Sequence, residues 1–410
     1  MRGKRMVLAV CLAVLALAAG WAAQAASVDV VEIAGQYIPV NVTELDLSNS
    51  GITDLTPLAQ FTALTRLSLR GNQITDLYPL VKLKNLTELD IGDNPGIADL
   101  TPLAGLTGLR QLWLIAEEGR AIQDTAPLVK LKNLDRLGIH TDNLAPLAAL
   151  TALSNVTLVC GADTDLAPIG NWTRLRNLTL RTAYPEHTGS NASWRPGDPA
   201  RRSLHALRGM QQMRNLWLVG VAADLMPLAD MKYLQLLSVT GSVGDLRPIE
   251  TLWDLYTLQI TSDTPVDILP LRAHRSVTLL TLSCPGLAAD LSPIGAMKKL
   301  EVLQIASDGL RTAHGLAGAK RLRQVTLQGV GLQEVSALGT LPKLRSVRIW
   351  AGQPLDLSGL LPLVPMRGLQ VGLLGPDGQP LPGPRDPWPG ERQLTPNTRD
   401  LNEDAQDEIG

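Results

Sequence analysis

The chain has 410 residues, with 37 basic against 39 acidic side chains and a formal charge of −2 at pH 7. So even a balance gives no electrostatic case for nucleic acid or an anionic membrane as partner. The apolar fraction of 45% comes mainly from Leu, Val, Ala and Ile, with a single Phe, so any interior must be aliphatic.

Residues 1–25 have the pattern of a secretory signal: Arg2, Lys4 and Arg5, then an apolar run from Met6 to Ala19, then the small-residue site Ala23-Gln24-Ala25. Cleavage after Ala25 would deliver a secreted or periplasmic protein. Retention as an anchor is the rival reading, because the run could just cross a bilayer. No other segment is apolar enough for long enough to span one. In residues 26–41, Val28, Val30, Ile33 and Tyr37-Ile38-Pro39-Val40 outline a hairpin around Ala34-Gly35-Gln36. Its expected task is to cover the open edge of the first strand that follows.

From residue 42 the chain repeats itself. In residues 64–85, Leu64, Leu67, Leu69, Asn72, Ile74, Leu77, Leu80 and Leu83 fall on the template L-x-x-L-x-L-x-x-N-x-I-x-x-L-x-x-L-x-x-L. Leu67-Ser68-Leu69 alternates like a half-buried strand, whereas Leu77, Leu80 and Leu83 recur every three residues, as in a tight helical turn. So short a unit cannot bury its own stripe and needs copies as neighbours. About fourteen follow at roughly 22 residues, from Leu45-Asp46-Leu47 to Val347-Arg348-Ile349, with a closing strand expected at Leu369–Leu373. Stacked at about 4.8 Å, they would make a curved parallel sheet roughly 65 Å long. Asp54-Leu55-Thr56-Pro57, Asp76-Leu77-Tyr78-Pro79 and their later copies place an acceptor before a proline. That combination predicts a short 3₁₀ or α turn on the convex side of each unit. One insertion, residues 183–203 with Tyr184, His187 and Trp194, interrupts the series, which resumes at Ser203 as a helix cap. Residues 375–410, rich in Pro and ending in Glu403, Asp404, Asp407 and Glu408, have too little to bury and are expected to be disordered.

Residues 42–107, with Asn-Gln-Ile-Thr-Asp-Leu-Tyr-Pro-Leu at 72–80, resemble the leucine-rich repeats of bacterial internalin-type proteins, and weaker copies extend the likeness to about residue 374. The resemblance implies an α/β leucine-rich-repeat solenoid, right-handed, with a concave parallel sheet and short 3₁₀ or α turns outside. It also implies a non-enzymatic module that binds a protein or a glycan outside the cytoplasm. In that family the Asn bonds backbone groups between turns. Here Asn stands only at 72 and 94, and later units carry residues such as Asp142, Gly161, Asp263 and Asp308. Water or altered turns would have to serve those units.

Nothing in the sequence points to catalysis, and no cofactor or metal is implied. His140, His187, His205, His274 and His314 fall in different repeats without metal-ligand spacing, and no phosphate loop or nucleophile motif occurs. Cys160 and Cys284 occupy one position in repeats five apart. Strand spacing puts them about 24 Å from each other, so no disulfide is expected.

Binding can be read further, because residues flanking the inward leucines must point outward. The central outward position runs through Trp113, Gly138, Thr157, Thr179 and Trp217; the next carries Ile115, His140, Val159, Arg181 and Val219. Two Trp residues about 19 Å apart over a floor of small side chains have the makeup of an interaction hot spot. The candidate ligand-binding residues are therefore Trp113, Ile115, His140, Arg181, Trp217 and Val219. The rival reading is that both indoles tuck against neighbouring strands. Arg323, Arg345, Arg348 and Trp350 form a second, basic candidate patch. The expected partner is a protein, with a cell-envelope glycan or a purely structural envelope role as alternatives.

Overall fold

The computed structural model describes residues 29–116, 121–183, 201–287, 290–355, 357–363 and 368–373. The signal at 1–25, the inserted residues Tyr184, His187 and Trp194, and the tail from 375 lie outside the described residues. Fifteen strands follow one another in chain order in a single sheet, from Glu44–Asp46 to Gly368–Leu373. The last of them pairs in parallel with Ser346–Ala351, so the expected closing strand forms. Nearly every return between strands is a 3₁₀ turn of three to six residues, such as Tyr78–Lys82; Ser292–Gly295 is α-helical. No helix among the described residues is long and apolar enough to cross a membrane.

The chain divides into two compact units, Met1–Ser238 and Val239–Gly410. In the first, the template leucines are sealed: Leu69, Leu80 and Leu83 are wholly buried and Leu67 and Leu77 nearly so. Burying each contributes about 1.5–3 kcal/mol, so the repeated stripe dominates stability. Phe61 and Trp172 fill the place that Leu83 fills in its own repeat, both at 0% exposure. The Trp172 indole is spared a lost hydrogen bond by donating Nε1–H to the Leu147 carbonyl, 3.0 Å away. The second unit repeats the plan with His274 in that place, 4% exposed.

Where an Asp precedes a turn it works as the sequence suggests, one residue further out than a formal cap. Asp76 Oδ1 accepts the Tyr78 amide at 2.8 Å, Asp99 that of Thr101 at 2.8 Å and Asp290 that of Ser292 at 2.8 Å. Hydrogen bonds from Thr56 hold the Asp54 carboxyl below its ordinary value.

The hairpin is real but does not extend the sheet. Val30–Ile33 pairs antiparallel with Gln36–Pro39 as a separate two-stranded sheet, beside the turn Thr56–Gln60. Ala34 and Gly35 both take positive φ, 51° and 75°, as a two-residue turn of this hand requires. Beyond the insertion, Arg201–Arg202 pairs in parallel with Ala222–Ala223 outside the main sheet. Ser203 then caps the turn His205–Leu207, its hydroxyl 3.4 Å from the His205 amide.

The repeats close their turns in two ways. Asn72 accepts from the amides of Ser50 (3.0 Å) and Ile52 (2.9 Å) and donates to the carbonyls of Leu47 (2.9 Å) and Leu69 (2.7 Å). Asn94 likewise accepts from Ile74 (3.1 Å) and donates to Leu69 and Ile91 (3.0 Å each). These repeats have strands of three residues, and the residue before the Asn position (Asn49, Gly71, Asp93) has positive φ. That left-handed residue rotates the Asn inward. From Arg136–His140 onward the strands run five or six residues. Alternation then carries the residue one place earlier than the Asn position inward. Thr141 donates to the Ile122 carbonyl (2.6 Å) and accepts the Asn143 amide (3.0 Å). Ser307 accepts the amides of Leu287 (3.1 Å) and Gly309 (3.2 Å), and Ser262 those of Thr264 (3.2 Å) and Val243 (3.4 Å). In these three repeats a buried hydroxyl serves the altered turn; Gly220, Gly241, Gly329 and Ala351 stand at the same place in others. Cys160 and Cys284 occupy the same inward place and are buried. Burial pushes the Cys284 thiol up, partly offset by a backbone hydrogen bond with Val266.

Candidate functional site

The outward face of the first unit's sheet is fixed by strand register. Residues pair across successive strands as Asp46, Ser68, Asp90, Trp113, Gly138, Thr157, Thr179 and Trp217. The two Trp residues therefore stand four strands apart, about 19 Å. His140, Val159, Arg181 and Val219 form the adjoining row. Ile115 does not join it. The pairing of Gln111–Trp113 with the next strand stops at Gly138, while the Ile115 carbonyl accepts the Asp93 amide at 3.0 Å, as Gly92 accepts that of Gly71 in the repeat before. Register thus brings five of the six candidate residues into these two rows, and the pairing ends before the sixth, Ile115.

Neither indole stands free. Trp113 and Trp217 are both half-buried, as are His140, Arg181 and Val219. A Cβ on Gly138 would collide with Cε3 and Cζ3 of Trp113. The indole therefore lies across Gly138 with one side packed on backbone, and only glycine leaves room for it. A ring held in this way loses little freedom on binding.

The strand residues on the other side of the central row were not singled out in the sequence. Asn177 donates to Asn155 Oδ1 at 2.5 Å, and Asn215 donates to Asn177 Oδ1 at 2.7 Å, an amide ladder beside Thr157 and Thr179. Its signal was legible: Asn immediately before the inward residue in three successive repeats. Arg136 precedes these amides in the same row.

Charge gathers on the other side of Trp113. Arg70 pairs with Asp93 at 2.5 Å, and Asp90, the strand neighbour of Trp113, accepts the Gly92 amide at 2.9 Å. Burial pushes the Asp90 carboxyl above its ordinary value, a shift opposed by the Gly92 amide and the charge of Arg70. Beyond it, Arg66 forms an ion pair with Glu44. Among the described residues no cluster of His, Cys, Asp or Glu is placed to hold a metal ion. The arrangement can grip a surface.

The repeat family described as leucine-rich repeats (2 copies) matches residues 40–82 and 62–105. No curated protein sequence matches the chain. Among solved structures, an internalin (inlF) from Listeria monocytogenes is similar at 22% identity and a TM-score of 0.58, over 82% of this chain and 89% of that one. A leucine-rich-repeat protein of Leptospira interrogans is similar at 17% identity and a TM-score of 0.56, over 81% of this chain and 90% of that one. The chain thus folds as a leucine-rich-repeat solenoid, similar to those of these two bacterial proteins. The leucine-rich-repeat fold supports a protein-interaction module in general.

The second candidate patch separates into two within this leucine-rich-repeat frame. Arg348 and Trp350 lie on the outward face, paired with Gln370 and Gly372. Arg323 and Arg345 lie just before the strands Gln324–Gly329 and Ser346–Ala351, on the rim.

Proposed function

We propose that this protein is an exported, non-enzymatic binding module that recognises a protein partner through the Trp113–Trp217 window. The observation that supports it best is the Trp113 indole seated on Gly138, in register with Thr157, Thr179 and Trp217. Half-buried aromatic residues on a rigid floor, flanked by His140 and Arg181, have the composition of an interface centre. The signal pattern of residues 1–25 supports export.

The test is recovery of the partner by pull-down with residues 26–410, followed by affinity measurements on Trp113→Ala and Trp217→Ala. Each should weaken binding about 30-fold, the loss of an anchor worth about 2 kcal/mol. Unchanged affinity in both variants would sink the proposal. A glycan is the second reading, favoured by the amides of Asn155, Asn177 and Asn215 beside a flat indole. Capture of envelope polysaccharide in place of protein would select it.

A further inference from the structure

The rim of the second unit, where each 3₁₀ or α turn descends to the next strand, is basic. Lys298, Lys299, Lys320, Arg321, Lys343 and Arg345 all occupy it and are all exposed. Asp254 and Glu301 are the acidic residues at the same positions in the repeats from 253 to 345. Among the described residues, Glu301 engages one rim cation, Arg323, at 3.4 Å.

Register makes the rim more than a composition. The Arg323 amide bonds the Glu301 carbonyl at 2.8 Å, and the Arg345 amide bonds the Arg323 carbonyl at 2.7 Å. Successive rim residues are therefore stacked at the strand spacing of about 4.8 Å, with two guanidinium-bearing residues side by side. Like charges held so close are unfavourable, and Glu301, on the far side of Arg323 from Arg345, offsets the repulsion from one side only. Arg323, Lys343 and Arg345, with Pro342 and Leu344, line a cavity of about 280 Å³ that could seat one or two carboxylates.

The chain carries an anion of matching form. Asp400, Glu403, Asp404, Asp407 and Glu408 fall within nine residues that include no basic residue. About thirty residues separate Leu373, the end of the last strand, from Glu403. A chain of that length reaches up to about 100 Å, whereas the strand to be retraced is about 20 Å long. Tethering of this kind gives an effective concentration of the order of millimolar.

We propose that the basic rim of residues 298–345 is an anion-binding surface whose resident occupant is the acidic segment Asp400–Glu408 of the same chain. The segment neutralises the stacked cations and withholds the rim from external acidic ligands. With a segment affinity of about 0.1 mM, an effective concentration of the order of 1 mM suppresses outside binding about tenfold.

The test measures binding of fluorescein-labelled octaglutamate to residues 26–410 at low salt. It compares the unaltered protein with a variant in which Asp400, Glu403, Asp404, Asp407 and Glu408 are changed to the corresponding amides. The amide variant should bind about tenfold more tightly. Adding Lys343→Gln and Arg345→Gln should abolish the gain, as should 0.5 M salt, where screening is strong. Equal tight binding by both proteins would mean that the rim is open to outside anions, and would overturn the proposal. So would no binding by either. Zero-length carbodiimide cross-linking gives an independent reading. Links from Lys298, Lys299, Lys320 or Lys343 to Glu403 or Asp404 are expected, and their absence would count against it.

Discussion

The repeats around Asn72 and Asn94 and those from Thr141 onward solve one problem with different chemistry. Each must satisfy backbone groups where the strand ends inside the protein. The early repeats end the strand after three residues, and a left-handed residue swings an amide inward to bridge two turns. The later ones let the strand run on and place a small residue inward one residue sooner: a hydroxyl at Thr141, Ser262 and Ser307, a thiol at Cys160 and Cys284, and Gly220, Gly241, Gly329 or Ala351 in others. Spacing from the last core aliphatic therefore decides which side chain can serve. The amide binds more groups per residue. The hydroxyl closes a smaller gap and lengthens the outward face by two residues per strand. The row His140, Val159, Arg181, Val219 exists because the strands from Arg136 to Val219 have that extra length.

The largest effect expected from breaking this comparison is Asn72→Ala. It strands two amides and two carbonyls at about 1–3 kcal/mol each before relaxation, and water entry should leave a net loss near 3 kcal/mol. Urea unfolding monitored in residues 44–91 by hydrogen exchange measures it. Thr141→Val keeps shape but deletes the bonds to Ile122 and Asn143, and should cost about 1.5 kcal/mol. A loss as large as that of Asn72→Ala would show that the two devices carry equal weight. His274 sharpens the contrast at a core position that Leu83 fills in an early repeat. Its Nε2 is buried without a hydrogen-bond partner, and burial holds its pKa below the ordinary 6.5, opposed by a backbone hydrogen bond to Ile249. The folded state favours the neutral ring. Its contribution to stability is thus full above about pH 6.5 and is lost as pH falls below that toward the depressed folded value. His274→Leu should remove that acid sensitivity from the second unit, as read by melting temperature between pH 7 and pH 5.

The fold was legible because its signal is repeated. Each Leu-x-Leu core, each Asp before a turn and even the final strand at Leu369 follow from one template. The exchange of Asn for a hydroxyl was harder to see, because it depends on strand length, which the template does not encode. Thr141, Ser262 and Ser307 look like ordinary surface residues until the chain is known to stay extended past His140, Thr261 and Ala306. Alternation alone gave the row through Trp113 and Trp217 and the row through His140, Val159, Arg181 and Val219. Alternation could not show that Trp113 would lie over Gly138, since the contact is between strands 25 residues apart in sequence. Nor could it show that pairing with the next strand would end before Ile115.

The most direct test of the account is hydrogen–deuterium exchange on the full chain with its captured partner bound. Protection is predicted in the strands Gln111–Trp113, Arg136–His140, Asn155–Cys160, Asn177–Thr182 and Asn215–Val219. Protection confined to strands beyond Thr257, with these five unchanged, would contradict it.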